Sequence, residues 1–244
     1  MNKLPDPRQN KLLAALPFTE WQILQSQLEF IDLPLGLVLC ESDIKYVYFP
    51  ITAIISLLYV MENGASAEIA VVGYEGIVGI SLFMGGDSTT SRAVVYSVGQ
   101  AYRLNAQCLQ REFSRCVPLM SLLLRYTQAL ITQMSQTAVC NRHHSIDQQL
   151  CRWLLLSLDR LPNHELMMTQ ELIASMLGVR REGVTAEALK LQTAGLISYV
   201  RGHITILDRI GLEKRSCECY AVVKKEYDRL LPASNCQVEE RVAV

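Results

Sequence analysis

From Leu119 to Asn141 the chain holds neither glycine nor proline and is rich in Leu, Gln, Ala and Met. Such a stretch propagates as one long helix, because every residue in it can donate its backbone N–H and none loosens the backbone. Leu119, Leu123, Tyr126, Leu130, Gln133 and Thr137 recur on it at spacings of three and four, a seam that is apolar at its start and polar at its end. A long helix with such a seam, set between two folded units, is expected to pack against its copy in a second subunit as a parallel two-fold dimer. Packing on the chain's own N-terminal unit is the alternative.

Before that helix the sequence changes character. Segments 37–40, 46–49, 54–60, 68–72, 93–98 and 101–104 are β-prone, and turns at Pro34, Asn63-Gly64, Gly73, Gly76, Gly79, Gly85-Gly86 and Gly99 separate them. An all-β barrel or roll is predicted. In front of it, Thr19 and Gln22 have capping-box spacing for a short helix bearing Trp21, Leu24 and Leu28. The most apolar stretch, 51–61, falls far short of the roughly 20 residues that span a bilayer. The opening MNKLPDPRQN lacks the basic-then-apolar order of a secretory signal. A cytoplasmic protein with no membrane partner is expected.

Beyond the long helix, Ser145 and Gln148 have capping-box spacing for a further helix bearing Ile146, Leu150, Trp153, Leu154 and Leu158. Thr169 is placed to cap a helix ending at Leu177, Gly178 to supply a left-handed turn, and Arg180 or Arg181 to open a second helix reaching Thr193. Ala174 is small where those helices would cross, and Val179, Val184, Ala188 and Leu191 can share a core, which reads as helix-turn-helix. Residues 196–200 and 203–207 alternate around Arg201-Gly202, the pattern of a hairpin wing.

A net charge of −1 excludes a globally basic nucleic-acid binder but not a module with a local cationic face. Arg180, Arg181 and Glu182 stand at the helix end that would enter a major groove, where arginine pairs with guanine and glutamate accepts from cytosine. Thr185 and Lys190 further along, and Arg201 and His203 at the wing tip, suit phosphate contacts; Thr169 is counted with this DNA-binding set.

The stretch LIASMLGVRREGVT at 172–185, followed by LQTAGLI at 191–197, is similar to the helix-turn-helix of the Crp/Fnr, or catabolite-activator-like, transcription regulators. The resemblance runs from about residue 12 to 231. It implies an α+β fold with a cyclic-nucleotide-binding-like β-roll over 1–116, a dimerisation helix over 117–143 and a winged helix-turn-helix over 144–244. It also implies a homodimer on double-stranded DNA whose heads are reoriented by an effector, with RNA polymerase a further candidate partner. Arg181 and Glu182 match the family's base-contacting Arg-Glu pair, whereas Ala186 stands where well-known activators carry another arginine.

The roll departs from the cyclic-nucleotide pattern. Gly79 is followed by Ile80 in place of the ribose-binding glutamate, and Ser91-Arg92-Ala93 puts the arginine one residue late, on the other strand face. Cyclic AMP is therefore not expected. Neither is an iron–sulphur cluster of the family's N-terminal type, because Cys40 is the one cysteine in the first hundred residues, nor haem, because His143, His144, His164 and His203 all lie outside the roll. Gly79, Ile80, Ser91 and Arg92, with Glu75 as a second charged residue, are the effector-pocket candidates.

Two rival readings remain. One keeps the fold but dispenses with a small-molecule effector. The other is a metal-dependent enzyme using His143-His144 and Cys217-Glu218-Cys219. Adjacent histidines diverge, and a helical Cys-x-Cys sets its thiols about 200° apart, so neither forms a tetrahedral site by itself. With no nucleophile elbow, phosphate loop or His-Glu-x-x-His pattern, an enzyme is not expected, and the scattered cysteines read as reduced thiols. Residues 208–231 predict one extra helix behind the wing; 233–244 are expected to be poorly ordered.

Overall fold

The computed structural model describes residues 4–41, 43–86, 88–161 and 165–231. Two short helices lead, α1 (Lys11–Ala14) and α2 (Phe18–Gln25). Asn10 caps α1 through its side-chain oxygen. Thr19 does not cap α2: the helix starts one residue earlier behind Pro17, and the Thr19 hydroxyl turns to Glu20. Pro17 sets an extended entry just before the helix, which moves the boundary ahead of the capping-box pattern.

Seven strands follow: β1 (Glu29–Leu33), β2 (Val38–Cys40), β3 (Tyr46–Pro50), β4 (Ile54–Val60), β5 (Ser66–Val72), β6 (Arg92–Ser97) and β7 (Gly99–Asn105). They form two antiparallel sheets, ordered β1-β7-β3 and β2-β6-β4-β5. Gly99, at the β6–β7 corner, is required by space: a Cβ there would sit 2.4 Å from the Ala53 nitrogen.

The larger sheet is covered on both faces. Ile55, Leu57, Ala70, Val72, Ala93 and Val95 point into the roll, while Ile54, Leu58, Val71 and Tyr96 belong to a second core built mainly by the C-terminal unit. This explains why 51–61 is nearly continuous in hydrophobicity rather than alternating.

The helical half comprises α3 (Ala106–Arg115), α4 (Val117–His143), α5 (Ile146–Leu158), α6 (Gln170–Leu177), α7 (Arg181–Thr193), α8 (Arg209–Arg215) and α9 (Glu218–Leu230), with a small sheet of β8 (Glu165–Met167), β9 (Ile197–Val200) and β10 (His203–Ile206) ordered β8-β10-β9. The Ser145–Gln148 capping box is present in both directions. The C-terminal segment forms two helices, and α9 packs along α4, with the Tyr126 and Tyr227 rings edge to face at 6.4 Å, rather than standing behind the wing. Residues 233–244 lie outside the described residues, as does His164.

The expected dimer seam requires correction. Leu119, Leu123, Tyr126, Leu130, Gln133 and Thr137 are all buried within the single chain, on a helix that packs against α3, β5 and α9. That stripe serves the chain's own core because α9 supplies cover absent from a two-unit picture. No helix among the described residues is long and apolar enough to cross a membrane.

Candidate nucleic-acid interface

The helix-turn-helix is built by local rules. The Thr169 hydroxyl accepts from the Leu172 N–H at 3.2 Å and opens α6. Gly178 closes it at φ +66, and the Val179 N–H reaches the Ala174 carbonyl at 3.0 Å, satisfying an orphan acceptor. Ala174, Val184, Ala188 and Leu191 are buried in one core with Ile173 and Met176, so the opposite face of α7 is left to solvent. Thr185 clasps the pair, donating to Gln170 Oε1 at 2.7 Å.

On that solvent face stand Arg180, Arg181, Glu182, Thr185 and Lys190, all exposed. Arg181 lies 3.9 Å from Glu171, a loose pair, and Lys190 holds Glu187 at 2.9 Å. Exposed pairs of this kind are worth about 0–1 kcal/mol and are readily exchanged for phosphate. The wing turns through Arg201 (φ +51) and Gly202 (φ +88), the double left-handed conformation of a tight hairpin, and projects the Arg201 side chain outward. His203 follows, exposed at the start of β10. Thr169, Arg181, Tyr199 and Arg201 line one open depression of about 490 Å³ between the start of α7 and the wing.

The roll contains a smaller cavity, about 150 Å³, lined by Cys40, Ile44, Leu57, Val78, Gly79, Ile80, Ser81, Thr89, Ser91, Ala93 and, from α4, Met134. Gly79, Ile80 and Ser91 are thus together. Arg92, between Ser91 and Ala93, points away and pairs with Glu41. Glu75 is not there either: it is buried against the Arg160 guanidinium at 2.8 Å, beneath the C-terminal unit. A charge in the roll needs a partner or an anionic ligand, and each of these two finds an opposite charge outside the cavity. Burial pushes the Cys40 thiol up to about 11, so it stays a neutral thiol.

Sequence reasoning missed the polar groups that join roll to head. Arg160 donates to Glu75, to the Leu156 carbonyl and to Gln133, and lies over the Tyr227 ring. Glu68 accepts from Trp153 Nε1 at 2.9 Å and from the Ser56 hydroxyl at 2.6 Å. Charged residues inside apolar runs were the available signal.

Residues 148–215 match the family model of the Crp-like helix-turn-helix domain. A comparison with curated proteins found no match. Among solved structures, the chain is similar to a crp/fnr-family transcriptional regulator from Eubacterium rectale (18% identity, TM-score 0.65, covering 85% of this chain and 98% of that one). It is also similar to FixK2 from Bradyrhizobium japonicum (16%, 0.65, 78% and 98%) and to the c-di-GMP responsive regulator CLP of Xanthomonas campestris (14%, 0.62, 79% and 100%). At these identities the structures share the fold alone, and residues 148–215 carry a Crp-like helix-turn-helix domain.

Proposed function

We propose that the chain is a homodimeric, sequence-specific regulator that lays α7 in the major groove, with Arg180, Arg181 and Glu182 at the base edges. Thr169, Thr185, Lys190, Arg201 and His203 then hold phosphates. The observation that carries this reading is the convergence of Arg181, Thr169 and Arg201 on one open face between recognition helix and wing. The functional division follows at 1–116, 117–143 and 144–244.

Selection from a random duplex pool, followed by anisotropy titrations at several salt concentrations, tests it. A palindromic site is expected. Arg181→Ala costs about 1–3 kcal/mol there and relaxes base choice, whereas Lys190→Ala weakens all sequences alike and lowers the salt slope by about 1. Sequence-blind binding by the wild type would overturn the reading.

The second subunit is assigned to the other face of α4. Val117, Leu124, Ile131 and Ala138 recur every seven residues, with Ser121, Gln128 and Ser135 between them, and all seven are exposed. This is a heptad seam without cover in the single chain, and a parallel copy supplies it. Leu124→Ala is expected to weaken self-association roughly tenfold to a hundredfold by sedimentation, since both subunits lose the side chain. Unchanged association would remove this seam from the interface.

The cavity in the roll does not suit a cyclic nucleotide. Among the described residues its lining carries no charge, and its volume is about half the roughly 300 Å³ at which ordinary ligand sites begin. Regulation without a nucleotide effector is the reading this favours.

A further inference from the structure

The end of α4 and the start of α9 meet in a cluster that neither sequence segment displays alone. Cys140 and His144 are one helical turn apart, Cys217 is the residue before α9, and Cys219 lies in its first turn. The three sulfurs and one imidazole nitrogen all lie within 4.8 Å of one another. Cys140 Sγ is 3.6 Å from Cys217 Sγ, and Cys219 Sγ is 3.6 Å from His144 Nδ1. All three cysteines are buried and packed as a separate small core.

We propose that Cys140, His144, Cys217 and Cys219 bind a single Zn²⁺ ion that staples α4 to α9. Three thiolates and one imidazole are a known structural set for zinc. A tetrahedron with Zn–S of about 2.3 Å and Zn–N of about 2.0–2.1 Å has S···S edges of about 3.8 Å and S···N edges of about 3.6 Å. The observed separations fit one central ion and are too short for a polynuclear iron–sulphur cluster, whose ligands bind different irons.

Two surrounding features fit the same assignment. His144 presents Nδ1 to the cluster while Nε2 faces Glu218 Oε2 at 3.5 Å, the carboxylate–imidazole arrangement that orients zinc-bound histidines. Among the described residues, buried Arg152 bonds the Thr137 hydroxyl at 3.2 Å and finds no partner for its Nε. Its charge acts on Cys140 and Cys219, and also on Glu68. Zn²⁺ with three thiolates and a neutral imidazole carries one net negative charge, which this guanidinium balances; binding displaces the thiol protons to solvent.

The test is metal analysis of the full-length protein purified under reducing conditions, then cobalt substitution. About one zinc per chain is expected, with the intense absorption of tetrahedral thiolate-bound cobalt. Cys217→Ser and His144→Ala should each lower zinc affinity more than about tenfold, while Cys108→Ser, outside the cluster, retains the ion. Chelation should lower the melting temperature of the wild type and not that of Cys217→Ser. The proposal fails if the reduced wild type takes up neither zinc nor cobalt, if it carries iron with sulfide instead, or if Cys217→Ser binds as tightly as the wild type.

Discussion

Replacing Arg160 by alanine is expected to cost the chain about 3–5 kcal/mol of stability, the usual consequence of removing one member of a buried ion pair. Arg160 and Glu75 are 4% and 9% exposed at their side chains, so neither charge has water to fall back on. The guanidinium also bonds the Leu156 carbonyl at 2.8 Å, binds Gln133 and covers the Tyr227 ring, so roll, long helix, head and last helix share this one group. Gln133 in turn donates to the Val71 carbonyl at 3.1 Å, and losing Arg160 loosens that contact too. Thermal unfolding checks the figure, since 1 kcal/mol moves the midpoint of a chain this size by about 2–4 °C. The double variant Arg160→Met with Glu75→Leu should regain most of the loss, because it leaves no orphaned charge. A single variant within about 2 °C of the wild type would show that the pair is solvated in solution.

The parts of this molecule that local chemistry dictates were legible in the sequence. Gly178 with Thr169 nine residues earlier marks α6, and Arg201-Gly202 between alternating segments marks the wing, because each turn needs a particular backbone conformation from particular residues. Six of the roll's strands were readable from β-prone runs between glycines, but Glu29–Leu33 was not, since its exposed edges carry acidic residues that dilute the pattern.

What failed depended on distant partners. The face of α4 at 119–137 looks like a subunit seam until α9 lies over it, and the heptad left exposed at Val117, Leu124, Ile131 and Ala138 is only half apolar, with Ser121 and Gln128 between. Glu75 and Arg92 went to the wrong place because ion pairing with Arg160 and Glu41 is invisible in local spacing. Likewise Cys-x-x-x-His at 140–144 and Cys-x-Cys at 217–219 are each weak alone; the fold brings them together across more than seventy residues.

Glu68 should make the docking of head on roll sensitive to pH. Burial raises its carboxyl from the ordinary 4.5 to about 7, against the lowering effect of bonds from Ser56 and Trp153 and of the Arg152 and Arg160 charges. The folded state therefore prefers the protonated acid. The stability this group allows is fully present below about pH 4.5 and is lost as pH rises through about 7, up to about 3 kcal/mol if the whole interval is realised. Glu68→Gln keeps an oxygen for the Trp153 N–H and turns its amide N–H to the Ser56 hydroxyl as acceptor, but carries no charge at any pH. It is expected to match the wild type near pH 5 and to exceed it near pH 8, by up to the same amount, in denaturant titrations at each pH. Ser56, on the neighbouring β4, also touches the Met176 sulfur at 3.3 Å, so β4 and the strand bearing Glu68 together contact α5 and α6 directly. Ionisation should then loosen the head before the roll unfolds, seen as faster proteolysis between α4 and α5 at pH 8 in the wild type alone. A difference between the two proteins that is the same at pH 5 and pH 8 would mean that Glu68 does not titrate in this range.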